Sequence, residues 1–289
     1  MHILIFGRNG QVGRELLNRH PKDCKIRSLG RSDVDLSDPT SCQEVIMAHD
    51  ADIVINAAAY TAVDQAEDEE SQAEMINGEA PKRMAQACAR KGIPFLHLST
   101  DYVFDGSGDA PRKPNDPIAP LNAYGRSKAA GEAAVLAAGG RFVVLRTSWV
   151  FSAHGNNFVK TMLRLGRERQ QLRIVSDQIG GPTSARAIAD ALYGIARQMI
   201  ARDSLGGFYH FSGKPDVSWA DFARSIFSQA GQTVAVTDIL TSDFPTKAQR
   251  PLNSRLDCST LQRDFTIERP DWGSCLRTVI RDLDDEDKA

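Results

Sequence analysis

Tyr124 and Lys128, which are four residues apart, are the pair in this sequence best suited to acid–base chemistry. Positions i and i+4 of a helix lie on one face, so the lysine ammonium would stand beside the tyrosine phenol. A nearby positive charge favours the phenolate, and we therefore expect the pKa of Tyr124 to be lowered towards neutrality. Such a phenol can protonate a carbonyl oxygen during reduction. The alternative is a core tyrosine next to a surface lysine.

Polar side chains also follow the predicted fourth strand, in the segment LSTDYVFDG. Open parallel sheets bind ligands beyond the carboxyl ends of their strands, which is where Ser99, Thr100 and Asp101 would lie. The Thr100 hydroxyl could bond to a carbonyl oxygen and complete a set with Tyr124 and Lys128. Asp101 either faces the substrate or caps a loop or helix.

Three glycines, Gly7, Gly10 and Gly13, lie in GRNGQVG between a predicted first strand and first helix. A pyrophosphate at this position needs backbone without Cβ atoms and free N–H groups at a helix N-terminus. The spacing therefore predicts a dinucleotide site, and the alternative is a tight strand-to-helix turn.

Residues after the second predicted strand bear on which nucleotide is bound. An Asp or Glu usually stands there in NAD sites, where it binds the ribose 2′-hydroxyl. Here Gly30 and Arg31 occupy that place, and a guanidinium can pair with a 2′-phosphate. NADPH is therefore favoured, although Asp33 or Asp35 would permit NADH and Arg31 could be a solvated loop charge. The small side chains of Ala57, Ala58 and Ala59 would let the cofactor lie close to the sheet edge.

Strands and helices alternate over the first half of the chain, and these elements must position the chemical groups. Continuous apolar runs are typical of strands covered on both faces, and alternation with helices indicates parallel pairing. We predict an α/β fold with a doubly wound, Rossmann-type parallel sheet. The predicted strands are Ile3–Phe6, Cys24–Leu29, Asp52–Asn56, Pro94–Ser99 and Phe142–Arg146, and the helices include Gln72–Lys91 and Ala123–Ala138.

After Trp149 the predicted strands and helices alternate less regularly. We predict a dinucleotide-binding domain over residues 1–150 and a smaller α/β substrate-binding domain over 151–289, interleaved with late elements of the sheet. The acidic end, Asp282–Asp287, is interpreted as a frayed, solvated tail. The other predicted elements are helices Asn157–Arg169, Ser184–Met199 and Trp219–Ala230 and strands Arg173–Ser176 and Phe208–Phe211.

Composition narrows the class of protein. The chain has 289 residues, 42% hydrophobic and 25% charged, as in an ordinary globular protein. Its net charge of −2 makes nucleic-acid binding unfavourable. No segment is apolar enough to span a bilayer, and the N-terminus reads as a strand and not as a signal peptide. The five cysteines are scattered without a CxxC pair, which favours reduced thiols in a cytoplasmic protein over a zinc site.

The motifs together resemble the extended short-chain dehydrogenase/reductase superfamily and, within it, the family of dTDP-4-dehydrorhamnose reductases. Four of them lie in the second half, so the resemblance covers nearly the whole chain. The motifs are GxxGQVG, NAAAYTAVDxAE, LSTDYVFDG, APLNAYGRSKAAGE, RTSWVF, GNNFVKTMLRL, DQIGGPT and RPLNSRLD.

The resemblance implies NADPH-dependent reduction of dTDP-4-dehydro-L-rhamnose to dTDP-L-rhamnose, a step that supplies bacterial lipopolysaccharide and O antigen. Tyr124 would donate the proton, and Lys128 would lower its pKa and hold the nicotinamide ribose. Thr100, Asp101 and Trp149 would contact the nucleotide-sugar, although Trp149 could be a core aromatic. The implied cofactor contacts are Gly10, Gln11, Val12, Asp35, Leu36, Ala58, Ala59, Tyr60 and Leu98.

Two arginines near the C-terminus, Arg250 and Arg255, would either pair with the substrate diphosphate or form surface ion pairs. Some relatives form magnesium-bridged dimers through acidic side chains. Glu15 fits that pattern, but Arg186 stands where a carboxylate is expected. We therefore expect no metal site, treat Mg²⁺ as doubtful, and leave open a monomer or a homodimer.

Two other functions remain open. A nucleotide-sugar dehydratase or epimerase could use the same scaffold, but a dehydratase carries an acidic pair after the strand-four threonine, and here Tyr102 follows Asp101. A non-catalytic NADP-binding regulatory subunit, resembling the beta subunit of methionine adenosyltransferase, is the other. The complete set of Thr100, Tyr124 and Lys128 favours catalysis.

Overall fold

The computed structural model describes residues 1–286. In chain order, its first seven strands are β1 (His2–Phe6), β2 (Lys25–Leu29), β3 (Ile53–Asn56), β4 (Phe95–Thr100), β5 (Phe142–Thr147), β6 (Val150–Phe151) and β7 (Gln171–Val175). The later strands are β8 (Ile179–Gly180), β9 (Thr183–Ser184), β10 (Gly207–His210), β11 (Val217–Ser218), β12 (Ala235–Ile239) and β13 (Asn253–Ser254).

Helices connect and cover these strands. They are α1 (Gln11–Asn18), α2 (Pro39–Ala48), α3 (Glu70–Glu74), α4 (Ala80–Lys91), α5 (Ala123–Ala137), α6 (Phe158–Glu168), α7 (Ala185–Ala201), α8 (Trp219–Gln229), α9 (Ser259–Phe265) and α10 (Trp272–Glu286).

A six-stranded sheet in the order β10-β5-β4-β3-β1-β2 forms the centre of the molecule, and its neighbouring strands are all parallel. Apolar side chains of α1, α7 and α9 cover one face, and those of α2, α4 and α5 cover the other. The predicted doubly wound parallel sheet is therefore confirmed. The chain reverses its direction of strand addition at β1, so the crevice at the carboxyl end of β1 is where such sheets bind ligands.

Strand β2 differs from the prediction that it is covered on both faces. It lies at the sheet edge, and its burial alternates between exposed and partly buried residues up to the buried Leu29. Successive side chains of a strand point to opposite faces of the sheet, so this alternation shows that one face of β2 is largely open to solvent before Leu29.

The single helix predicted over Gln72–Lys91 is divided by a π-helical turn, Met75–Glu79. Asn77 in this turn donates from Nδ2 to the Ser127 hydroxyl of α5 at 3.0 Å and accepts the Tyr60 N–H at Oδ1 at 2.8 Å. Turns of this kind often occur at functional sites. Here the turn aims an amide towards the helix that carries the tyrosine–lysine pair.

A hydrophobic core separate from the central sheet joins α6, α8 and α10 to the two-stranded sheet of β7 and β12. The prediction of a frayed tail from Asp282 is wrong up to Glu286, because these residues belong to α10. Leu276, Val279 and Ile280 are buried on one face of that helix, and their packing fixes the polar residues that follow. Asp287 lies outside the described residues.

Candidate active site

A cleft of about 520 Å³ opens at the carboxyl ends of the central strands. It brings together most of the residues that the sequence predicts to bind a cofactor. Its predicted lining residues are Gly7, Gly10, Gln11, Val12, Arg31, Asp35, Leu36, Ala57, Ala58, Ala59, Leu98, Tyr124 and Lys128.

The glycine loop approaches its neighbours too closely for side chains. Gly7 has φ +99°, and a Cβ on it would lie 2.6 Å from the Ala58 nitrogen. A Cβ on Gly13 would lie 1.9 Å from the Gly7 oxygen, so Gly13 packs beneath the loop and does not line the cleft. Helix α1 follows Gly10 without a side-chain cap, which leaves its first N–H groups available to an anion. The loop therefore fits a dinucleotide pyrophosphate.

The end of β2 brings several charges to one side of the cleft. Arg31 is exposed and lines the cleft, as does Asp35, whose pKa is lowered mainly by a hydrogen bond from the Ser37 N–H. Arg8, which sequence reasoning missed, forms an ion pair with Asp33 at 2.9 Å. A Cβ on Gly30 would lie 3.3 Å from an Arg8 Nη atom, so the glycine leaves space for that guanidinium. Arg31, in contrast to Arg8, forms no ion pair with any residue in the described range 1–286.

Tyr124 lies at the start of α5, where its partly buried ring contacts that of Tyr102 edge-on at 5.6 Å. The pKa of Tyr124 is raised to about 12, mainly by burial and to a smaller extent by Asp101, against a hydrogen bond with Thr100 that lowers it. The predicted lowering of this pKa is wrong for the structure described here, because loss of hydration outweighs any stabilisation of the phenolate. Tyr124 therefore holds its proton at neutral pH.

Lys128 lies one turn further along α5 and is buried. Its Nζ donates to the Leu98 carbonyl at 2.6 Å and lies 3.3 Å from His97 Nε2. Burial lowers the pKa of Lys128 to about 8, and the Glu132 carboxylate opposes this shift. The amine is thus tied to β4 as well as to its own helix.

Glu132 and Arg146 form a buried ion pair behind Lys128, with side chains 2% and 4% exposed. Two hydrogen bonds, of 2.8 and 2.6 Å, join the guanidinium to the carboxylate. Ser99 at the cleft donates its hydroxyl to the same carboxylate at 2.5 Å. The pair therefore ties α5 to β4 and β5, which carry the other groups of the site.

Thr100 and Asp101 lie buried at the end of β4, outside the cleft lining. The Thr100 hydroxyl donates to Asp101 Oδ1 at 3.1 Å and accepts the Tyr102 N–H at 3.2 Å. Thr100, and not Asp101, thus caps the turn that follows. Burial raises the pKa of Asp101 to about 6, against hydrogen bonds from Ser254 and Thr100.

The predicted substrate residues in the second half lie in different surroundings. Trp149 is partly exposed, has φ +49° and stacks on Trp219 with ring centroids 3.6 Å apart. Arg250 forms a bidentate ion pair with Asp64, at 3.0 and 2.6 Å. Arg255 donates to Asn253 Oδ1 at 3.1 Å. The ion-pair alternative thus describes Arg250 as it stands in the structure.

Tyr60 and several unpredicted residues complete the surroundings of the cleft. Tyr60 lies outside the lining and donates its hydroxyl to Glu69 at 2.8 Å. Gln11 accepts from Ser152 and Asn157, each at 2.9 Å, so the segment after β6 is tied to α1. In the sequence, the GNN tripeptide is the feature that could have indicated that this segment lies at the cleft. Ser99, expected at the ligand-binding edge of the sheet, lines the cleft, and the lining residues missed from the sequence include Asn9, Val34, Thr61, Ile76, Thr147, Val150, Gly155 and Asn156.

Glu15 on α1 lies 3.6 Å from His154 Nε2. Burial raises the pKa of Glu15, while His154 and Arg186 lower it, so a cation of the protein already faces this carboxylate. Within residues 1–286, no group of three or more His, Cys, Asp or Glu side chains is arranged to hold a metal. In the same range, no helix is long and apolar enough to cross a membrane.

Comparison with known proteins matches the chain over residues 1–284 to the family model described as RmlD substrate binding domain. A dTDP-4-dehydrorhamnose reductase of Sinorhizobium fredii is 42% identical over 286 residues, with 97% of each chain covered. One from Escherichia coli K12 is 38% identical over 296 residues, with 98% of each covered.

A solved structure resembles the chain over nearly its whole length. It is a dTDP-4-dehydrorhamnose reductase of Bacillus anthracis in complex with NADP, with a TM-score of 0.91 and 35% identity. The match covers 97% of this chain and 99% of that one.

Proposed function

The chain belongs to the family of dTDP-4-dehydrorhamnose reductases, and we propose that it reduces dTDP-4-dehydro-L-rhamnose to dTDP-L-rhamnose with NADPH. The observation that carries the proposal is the cleft itself. Gly7 and Gly10 of the glycine loop line the same cleft as Tyr124 and Lys128. A cofactor bound by the loop would present its reactive end to a proton donor, which is what carbonyl reduction needs.

The residues of the cleft fit a dinucleotide. Gly7 and Gly10 with the first N–H groups of α1 would hold the pyrophosphate, and Ala57–Ala59 would let the nucleotide lie against the sheet edge. Lys128 would hold the nicotinamide ribose. When bound, NADPH supplies the hydride that reduces C4 of the sugar.

Tyr124 would protonate the carbonyl oxygen as it becomes a hydroxyl. Its raised pKa keeps it protonated before the reaction, as an acid must be. Thr100, whose hydroxyl bonds to Tyr124, would hold the same oxygen beforehand. Asp101 and the partly exposed Trp149 would contact the nucleotide-sugar. A diphosphate would have to compete with Asp64 for Arg250, whereas Arg255 has no carboxylate partner among residues 1–286.

The fall in NADPH absorbance on adding the keto-sugar tests this function. We expect turnover that yields dTDP-rhamnose. Dehydration or epimerisation of a nucleotide-sugar without net NADPH consumption would indicate the dehydratase or epimerase. NADPH binding with no turnover of any nucleotide-sugar would instead indicate the regulatory subunit.

Arg31→Ala is expected to weaken NADPH binding more than NADH binding, by about 1.5–3 kcal/mol for a charge-assisted contact with the 2′-phosphate. Fluorescence titration with both nucleotides measures the difference. Arg8→Ala is the matched control, because Asp33 already neutralises Arg8. Equal losses of affinity for the two nucleotides in Arg31→Ala would show that Arg31 is a solvated charge and does not contact the 2′-phosphate.

Activity is expected to be unchanged in EDTA, and the hydrodynamic mass unchanged by Mg²⁺. Thr100 and Tyr124 already address the carbonyl oxygen, and Arg186 faces Glu15 where a bridging ion would need a carboxylate. Turnover assays and size-exclusion chromatography with and without Mg²⁺ measure both properties. Turnover that chelator removes and Mg²⁺ restores would contradict this expectation.

We further propose a cytoplasmic location and a division into a cofactor domain, residues 1–150, and a mainly substrate-binding domain, 151–289. All five cysteines are free, and four of them are buried, which suits a reducing compartment. Strand β10 from the second half pairs with β5, so the two parts share one sheet.

A further inference from the structure

Two tryptophans from distant parts of the chain stack on each other beside the cleft. The ring centroids of Trp149 and Trp219 lie 3.6 Å apart, and the ring planes differ by 11°. Trp149 stands in the chain between Thr147 and Val150, both of which line the cleft. Trp149 is a proposed contact of the nucleotide-sugar, whereas Trp219 has been given no role.

The backbone of Trp149 has a conformation that bulky residues seldom adopt. Its φ is +49°, in the left-handed region, where the Cβ atom of an L-residue crowds a carbonyl oxygen. Such a conformation persists only where surrounding contacts hold it, and it is commonest at functional sites. One of these contacts is the bond from the Thr183 N–H to the Trp149 carbonyl, at 3.1 Å. That bond fixes the backbone, so the indole needs a support of its own.

Gly180 leaves the space in which the indole lies. A Cβ atom on this glycine would be 3.0 and 3.2 Å from two carbons of the Trp149 ring, closer than an ordinary van der Waals contact. Gly180 belongs to β8, which pairs with β11, and β11 leads directly into Trp219 at the start of α8. One small sheet therefore brings together the space for the indole and its stacking partner.

The indole of Trp219 is held by a chain of hydrogen bonds whose directions are all defined. Its Nε1–H can only donate, and it donates to Gln178 Oε1 at 3.2 Å. The amide NH₂ of Gln178 therefore faces away and donates to the Thr241 hydroxyl at 3.1 Å. That hydroxyl donates in turn to an Asp177 carboxylate oxygen at 2.7 Å. Because the chain ends on a carboxylate, each donor in it has an acceptor.

Apolar packing also fixes Trp219. The ring of Phe158 lies 4.5 Å from it between centroids, and that of the buried Phe222 lies 6.3 Å from it. All three rings belong to the core that joins α6, α8 and α10 or pack against it. Trp219 thus connects this core to Trp149.

The stack determines which part of Trp149 a ligand can reach. No third group fits between parallel rings 3.6 Å apart, so a ligand can meet only the opposite face of the Trp149 indole or its edges. On the premise of the proposed function, we propose that Trp219 is a positioning residue, which holds the Trp149 indole in the orientation that receives the nucleotide-sugar. A side chain that is already ordered loses little conformational entropy when the substrate binds.

NMR of the tryptophan ring protons in the whole ligand-free chain tests the geometry independently of the activity. The chain has three tryptophans, so labelling of this residue type gives a simple spectrum. We expect nuclear Overhauser effects between the rings of Trp149 and Trp219, and ring-current shifts of the Trp149 protons that Trp219→Leu removes. Trp272→Phe is the matched control, because Trp272 packs on Phe222 in the same core and should leave the Trp149 signals unchanged.

Trp219→Leu also tests the consequence for the substrate. Leucine keeps an apolar side chain against the core but loses the stack and the bond to Gln178. The substrate must then order the Trp149 indole itself, which should raise KM for the keto-sugar by about 2–10-fold. The value of kcat should change less, since the lost interaction is one of binding. The affinity for NADPH should stay that of the wild type, because neither tryptophan lines the cofactor cleft.

Trp219→Phe is the conservative variant. Its ring still stacks on Trp149 but cannot donate to Gln178, so its KM should lie between those of the wild type and Trp219→Leu. A merely structural role would lower the melting temperature of the variants without this order in KM. Trp272→Phe, which alters the same core, should keep the wild-type KM.

The kinetic measurement rests on the proposed function, whereas the NMR measurement does not. A wild-type protein that does not reduce the keto-sugar would contradict the proposed function and leave the spectra to decide whether Trp219 positions Trp149. Three results would overturn the positioning role: Trp149 signals that do not change in Trp219→Leu, an unchanged KM in that folded variant, or an equal rise of KM in Trp272→Phe.

Discussion

Tyr124→Phe is expected to lower turnover by at least ~10²–10⁴-fold, the usual contribution of general acid catalysis. The substitution removes the hydroxyl but keeps the ring that packs against Tyr102. Folding and NADPH binding should therefore survive. Steady-state assays give the rate, and fluorescence titration gives the affinity for NADPH.

Tyr209→Phe is a suitable control for this experiment. That tyrosine is buried and donates its hydroxyl to Asp264, away from the cleft lining. Its turnover should stay close to that of the wild type. If Tyr124→Phe keeps more than about a tenth of the activity, Tyr124 is not the acid.

Glu132→Gln is expected to lower the free energy of unfolding by about 3–5 kcal/mol, because it leaves the buried Arg146 cation without its counter-charge. The amide has nearly the same shape as the carboxylate, so packing changes little. Urea unfolding followed by circular dichroism measures the change. The same variant should also lower activity, since the pair ties α5 to the strands of the site.

The exposed pair of Arg164 and Glu168, 3.1 Å apart on α6, provides the comparison. Solvent screens such pairs, so Glu168→Gln should cost only about 0.3–0.5 kcal/mol. A similarly small loss in Glu132→Gln would contradict the expected cost of leaving Arg146 without its counter-charge.

The sequence predicts best what depends on local order. The buried strands β1, β3, β4 and β5 lie within one or two residues of their predicted bounds, since a continuous apolar run needs no knowledge of the partner strand. Helix α10 is also indicated locally, by apolar residues at helical spacing: Leu276, Val279, Ile280 and Leu283. Its acidic end instead suggested a solvated tail.

Contacts between distant segments could not be predicted in this way. Arg250 meets Asp64, 186 residues away, and nothing local to either residue indicates the pairing. The stacking of Trp219 on Trp149 likewise has no local indication in the sequence. Helical spacing predicts a lysine near Tyr124 but does not show how much water the fold removes from the phenol, and that loss of water raises the pKa of Tyr124.

The pairing of β10 with β5 has a consequence for how the protein is made. A ribosome that has just synthesised Thr147 leaves β5 as an open edge, because its partner ends at His210. Elongation proceeds at ~5–20 residues per second, so that edge waits about 3–13 s for its partner. Helix α7, which covers one face of the sheet, emerges in the same interval. Until then the nascent chain exposes strand edge and apolar surface, which are the features that chaperones bind.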